Sequence, residues 1–82
     1  MNIFVGHLNN AITELHLELL FGHFGEVERA TVIRDRVTGD TKKFGFVEME
    51  DSNAAHLAIS KLNGAQLEGA RLLVKPSNTE RN

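Results

Sequence analysis

Apolar positions along this chain recur with two different periods. Four short runs alternate apolar with polar residues, and two longer runs repeat them three and four residues apart. Asn2 to Val5 alternates, with Ile3 and Val5 on one side and Asn2 and Phe4 on the other, so it predicts a first strand. Thr13 and Glu14 open a helix that runs to about His23, with Leu17, Leu20, Phe21 and Phe24 as its core stripe. Gly25 is expected to close that helix with a positive φ. Val27 to Arg34 predicts a second strand, Ala30 and Val32 inward and Arg29, Thr31 and Ile33 outward. The turn DRVTGDT leads into a third strand, KKFGFVEM, Lys42 to Met49. Asp51 or Ser52 caps a second helix with the stripe Ala55, Ala58, Ile59 and Leu62, ended by Asn63-Gly64. Arg71 to Lys75 predicts the last strand, with Leu72 and Val74 inward and Pro76 as its stop.

The order strand, helix, strand, strand, helix, strand predicts an α/β (α+β) fold. It is a two-layer split-βαβ sandwich, with a four-stranded antiparallel sheet carrying two helices on one face. Residues 1–76 form the expected domain and 77–82 a short flexible tail. Because both helices cover the same sheet face, the other face is left open.

Alternation decides what stands on that open face. In the third strand Lys42, Phe44, Phe46 and Glu48 share one side, and Gly45, Val47 and Met49 take the core side with Lys43. Phe4 joins Phe44 and Phe46 from the first strand, so three of five phenylalanines gather where nothing in the domain covers them. A cluster of exposed aromatics marks a binding surface, and flat rings on a sheet suit unstacked bases. Leu73 is outward too and extends the apolar platform.

Composition narrows the function classes. Eighty-two residues suffice for one domain and leave little chain for a deep catalytic cleft. No apolar run is long enough to span a membrane, and the strand-like start leaves no room for a signal peptide. Cysteine is absent, which excludes disulfides and thiolate zinc sites and fits the reducing cytoplasm. The net charge of −2 argues against a nucleic-acid partner until the charges are placed. Arg29, Lys42, Arg71 and Lys75 are expected outward on the strands against Glu48, a local balance of +3, while acidic residues lie mainly on helices and loops. That excess predicts modest affinity and a shallow salt dependence.

IFVGHL (Ile3 to Leu8) and KKFGFVEM resemble the hexamer and octamer motifs of the RNA recognition motif family. The resemblance covers residues 2–75 and is closest to the small single-domain bacterial members. It implies single-stranded RNA binding, with Phe4 and Phe44 stacking on bases and Phe46 against the sugars between them. It places Lys42 at a phosphate. Three positions depart from the family pattern. Lys43 stands where glycine is usual and adds a charge near the face, His7 stands where asparagine is common, and Met49 replaces an aromatic at an inward position. The expected RNA-binding set is therefore Phe4, Phe44, Phe46, Lys42, Arg71, Lys75, Lys43 and His7. Single-stranded DNA remains an alternative, because stacking ignores the 2′-hydroxyl.

Other chemistries find less support. His7, His16, His23 and His56 lack metal-ligand spacing. GHFG (Gly22 to Gly25) mimics a GXXG loop, but it lacks central basic residues and reads as helix-end punctuation. No phosphate loop, nucleophile elbow or carboxylate pair occurs, so neither an enzyme nor a cofactor is expected. Leu15, Leu19 and Leu57, opposite the helix stripes, form a second candidate surface, for a weak homodimer or a protein partner.

Overall fold

The structure is a computed structural model, which describes residues 1–77. Its elements are β1 (Asn2–Gly6), α1 (Glu14–Gly22), β2 (Val27–Arg34), β3 (Thr41–Met49), α2 (Ser52–Leu62), β4 (Gln66–Leu67), β5 (Ala70–Arg71) and β6 (Leu73–Pro76). Strands β2-β3-β1-β6 form an antiparallel sheet, and β4 and β5 form a separate hairpin. The two-layer α/β sandwich is therefore as expected, with eight elements in place of six. Among the described residues no helix is long and apolar enough to cross a membrane.

Helix α1 starts at Thr13, whose hydroxyl accepts from the His16 N–H while His16 Nδ1 accepts from the Thr13 N–H. A histidine here fills the place that glutamate or glutamine takes in a capping box. Asp51 caps α2 by accepting from the N–H groups of Asn53 and Ala54. Leu17 and Phe21 from α1, and Ala55, Ala58 and Leu62 from α2, are buried against Ile3, Val5, Val47, Met49 and Val74 of the sheet. Leu8 and Ile12, in the connection between β1 and α1, are equally buried, although no periodicity marks them. Helix α1 packs chiefly on β2, and α2 on β6.

Gly25 differs from its expected role. Its φ is not positive; a Cβ there would stand 2.7 Å from the Ala54 Cβ and 3.3 Å from the Met49 Cε. What position 25 requires is close approach to α2, and α1 ends through His23 in ordinary helical conformation. The expected last strand is also divided. Ala70 and Arg71 pair with Leu67 and Gln66 across Glu68 and Gly69, both with positive φ, as a two-residue type I′ loop requires. The sheet strand begins only at Leu73, and the Ser77 N–H still donates to the Asn2 carbonyl. The rest of the expected tail lies outside the described residues.

Two side chains, Glu14 and Asn63, tie helices to sheet. The Glu14 carboxylate accepts from the Val32 N–H at 3.2 Å and pairs with the Arg34 guanidinium at 3.0 Å. The Asn63 side-chain oxygen accepts from the Val74 N–H at 3.0 Å. Partial burial pushes the Glu14 carboxyl upward. The hydrogen bond from Arg34, backbone N–H donors at Glu14 and Val32, and the Arg34 charge outweigh it and leave the group below the ordinary glutamate range. A lowered folded value means stabilisation that is present above the unfolded value of about 4.3 and lost as pH falls through the folded one. Both side chains are 38% exposed, so the effect should stay under about 1 kcal/mol. Glu14→Gln keeps an acceptor for Val32 and removes the charge. Its thermal unfolding should fall slightly below wild type at neutral pH and meet it once the pH has fallen below the folded carboxyl's own value. A gap that persists in acid would place the cost elsewhere.

Candidate nucleic-acid interface

Strand register builds the open face row by row. Arg29, Glu48 and Asn2 lie side by side across β2, β3 and β1. The next row is Thr31, Phe46, Phe4 and Lys75, and the third holds Phe44, Gly6 and Leu73. Adjacent core-facing positions on β1 and β3, such as Ile3, Val5 and Val47, are fully buried, whereas the three rings are half-buried and stand outside the core.

The rings pack on one another. Phe4 and Phe44 have centroids 5.8 Å apart and planes within 20° of parallel. Phe46 meets both edge-on, 5.9 Å from each, at 72° to Phe4 and 84° to Phe44. Two rings thus share an orientation and the third stands upright beside them. Gly6, which the residue pattern did not single out as part of the site, makes this possible. A Cβ there would lie 2.8 Å from Phe4 Cε2 and 3.2 Å from Cζ, so the Phe4 ring reclines over the bare backbone toward Phe44. The signal was present in the sequence as a residue without a side chain, two positions from Phe4 on the same face.

The cations divide. Lys75 is brought to the face by its pairing with Phe4, and its ammonium lies 5.3 Å from the Phe4 centroid, within cation–π range. Arg71 is exposed and belongs to the hairpin, paired with Gln66, and not to the four-stranded sheet. Arg29 neighbours Glu48 across the strands and offsets that carboxylate. Lys42 is exposed where β3 leaves the turn, close enough to Asp35 for its charge to act on that carboxyl. Asp35 lies below the ordinary aspartate range, chiefly through hydrogen bonds from the Thr38 and Val37 N–H groups, with Lys42 a lesser contributor.

His7 and Lys43 are both exposed and both left-handed, with φ of +64° and +75°. They meet at one end of the sheet, where the Leu8 N–H donates to the Lys43 carbonyl at 3.0 Å. Strict alternation would send Lys43 to the core side with Gly45, Val47 and Met49. Its backbone conformation ends the alternation there, and the side chain stays in solvent.

Elsewhere, Leu15 and Leu19 are each 61% exposed on α1 and Leu57 is 48% exposed on α2. Among the described residues no group of histidine, aspartate and glutamate could hold a metal ion.

Comparison with known proteins bears on the fold and the family. The family model for the RNA recognition motif matches residues 3–73. The glycine-rich RNA-binding protein 2, mitochondrial, of Arabidopsis thaliana is 42% identical over 76 residues, 93% of this chain and 48% of that protein. RbpE of Nostoc sp. is 43% identical over 74 residues, 90% of this chain and 75% of the relative. The chain thus spans about half of the plant relative and most of the bacterial one. The crystal structure of RNA binding protein PG1 superposes with a TM-score of 0.93 at 44% identity, covering 100% of this chain and 99% of that one. With both motifs, the sheet order and the matched span in agreement, the chain belongs to the RNA recognition motif family.

Proposed function

We propose that this domain is a non-catalytic binder of single-stranded RNA that stacks bases on Phe4 and Phe44 and rests the intervening sugar against Phe46. The observation that carries the reading is the near-parallel pair of rings, outside the core and 5.8 Å apart, with the third ring upright beside them. Flat rings on a sheet accept bases with little regard to sequence, at roughly 1–3 kcal/mol per base. Lys75 beside Phe4 and Lys42 beyond Phe44 supply positive charge at opposite ends of the pair. The RNA-binding names of the similar proteins support the same partner. The absence of cysteine in the 82 residues suits action in the cytoplasm.

The test is a titration of short single-stranded RNA and DNA oligomers at two salt concentrations. Binding of RNA, weakened by salt and by loss of either ring, is the expected result. Tighter binding of DNA of matched sequence would move the reading to a DNA partner, and no binding of either would end it. The charge contribution is checked separately. Lys42→Ala should weaken all RNA sequences about equally and reduce the salt slope by about 0.7, one single-strand phosphate. Glu18→Ala, exposed on α1, should leave the slope unchanged. Equal shifts from the two would mean that overall charge governs binding.

A further inference from the structure

The strained corner next to Phe44 has a chemistry of its own. Glycine would take the left-handed conformation at position 43 without steric cost, whereas a side chain there meets its own backbone. The conformation is imposed from both sides. The Lys43 N–H donates to Thr41 Oγ1 at 3.0 Å, and the Lys43 carbonyl accepts from Leu8. The lysine side chain does nothing visible for the fold. It is exposed, and the two ion pairs among the described residues, Arg34 with Glu14 and His16 with Glu68, leave it out. A residue held against its backbone preference, with no structural return, points to a function for its side chain.

We propose that Lys43 holds one phosphate of the bound strand at the Phe44 end of the platform, a contact distinct from that of Lys42. This rests on the proposed stacking of bases on Phe4 and Phe44. Lys43 immediately precedes Phe44, and its left-handed backbone keeps the ammonium away from the core side to which alternation would send it. The residue that follows β1 at the same corner is His7, which offers no carboxylate to compete for the ammonium. Lys75 stands beside Phe4. A strand lying across both rings would then meet a cation at each end.

The consequence is a trade-off that few surface lysines would show. Lys43→Gly should raise Tm by about 4–8 °C, because glycine relieves the strain. The same change should reduce the salt slope for a mixed-sequence RNA octamer by about 0.7. Affinities of the two proteins should converge near 1 M salt and differ about eightfold near 50 mM. Lys43→Arg, which keeps both charge and strain, should match wild type in Tm and slope. Lys61→Ala, the same change in net charge at the end of α2, should leave the slope alone. A stabilised Lys43→Gly with wild-type affinity and slope overturns the proposal, as does a Lys43→Gly that is no more stable than wild type. The Phe44→Ala protein separates this from failure of the underlying reading. If Phe44→Ala loses affinity and Lys43→Gly does not, only the phosphate contact falls; if wild type binds no RNA, both fall.

Discussion

Replacing both Phe4 and Phe44 with alanine should weaken single-stranded RNA binding by about 2–6 kcal/mol, a loss of at least about thirtyfold. The range reflects one stacked base on each ring. The two single variants should not sum to the double, because the rings touch and each helps to orient the other. Stability should change less. The rings lie outside the core, and what is lost is packing among the three rings, at about 0.5–1.5 kcal/mol for each of the three pairs. Calorimetric titration beside thermal unfolding separates the two quantities. A double variant that unfolds, or one that folds and keeps its affinity, would show that the rings serve structure and that the bases are held elsewhere.

The largest expected loss of stability comes from a residue between two of the rings. A Cβ at Gly45 would stand 2.2 Å from the Thr31 carbonyl oxygen and 3.2 Å from both the Thr31 carbonyl carbon and the Val32 Cα. All three are backbone atoms, so no rotamer change makes room and β2 has to move away from β3. That movement pulls at Ala30 and Val32 in the core. Gly45→Ala should therefore cost about 3 kcal/mol or somewhat more, at or beyond the upper end for overpacking. A domain of this size has only about 4–12 kcal/mol in total, so Tm should fall by roughly 12–24 °C. Unfolding within 2 °C of wild type would mean that the two strands are not this close.

Periodicity served well where packing itself is periodic. The stripes of α1 and α2, the parity of β1 and β3, and hence the meeting of Phe4, Phe44 and Phe46, follow from spacing alone. It failed where local backbone geometry overrides the period. Lys43 turns left-handed and ends the alternation one residue before Phe44. Gln66 to Arg71 folds into a hairpin with strands of two residues, too short to alternate, so Arg71 belongs to it and not to the four-stranded sheet. Leu8 and Ile12 are buried from a loop, which has no period to reveal them. The tilt of Phe4 depends on an empty position across the same face, at Gly6, and no propensity scale reports what a missing side chain permits.

The hydrogen bonds that the Val32 and Val74 N–H groups donate to Glu14 and Asn63 have a meaning beyond holding two layers together. Strands β2 and β6 are the margins of the sheet, where free N–H groups would template a strand from another molecule. One donor on each margin is already satisfied from within the chain, and Pro76, near the end of β6, has no donor to offer. Sheet extension is blunted on both sides, and the broad face is left for recognition. Copies of this domain crowded along one RNA are therefore expected to meet through their side chains, remaining separate beads that do not zip into a continuous sheet.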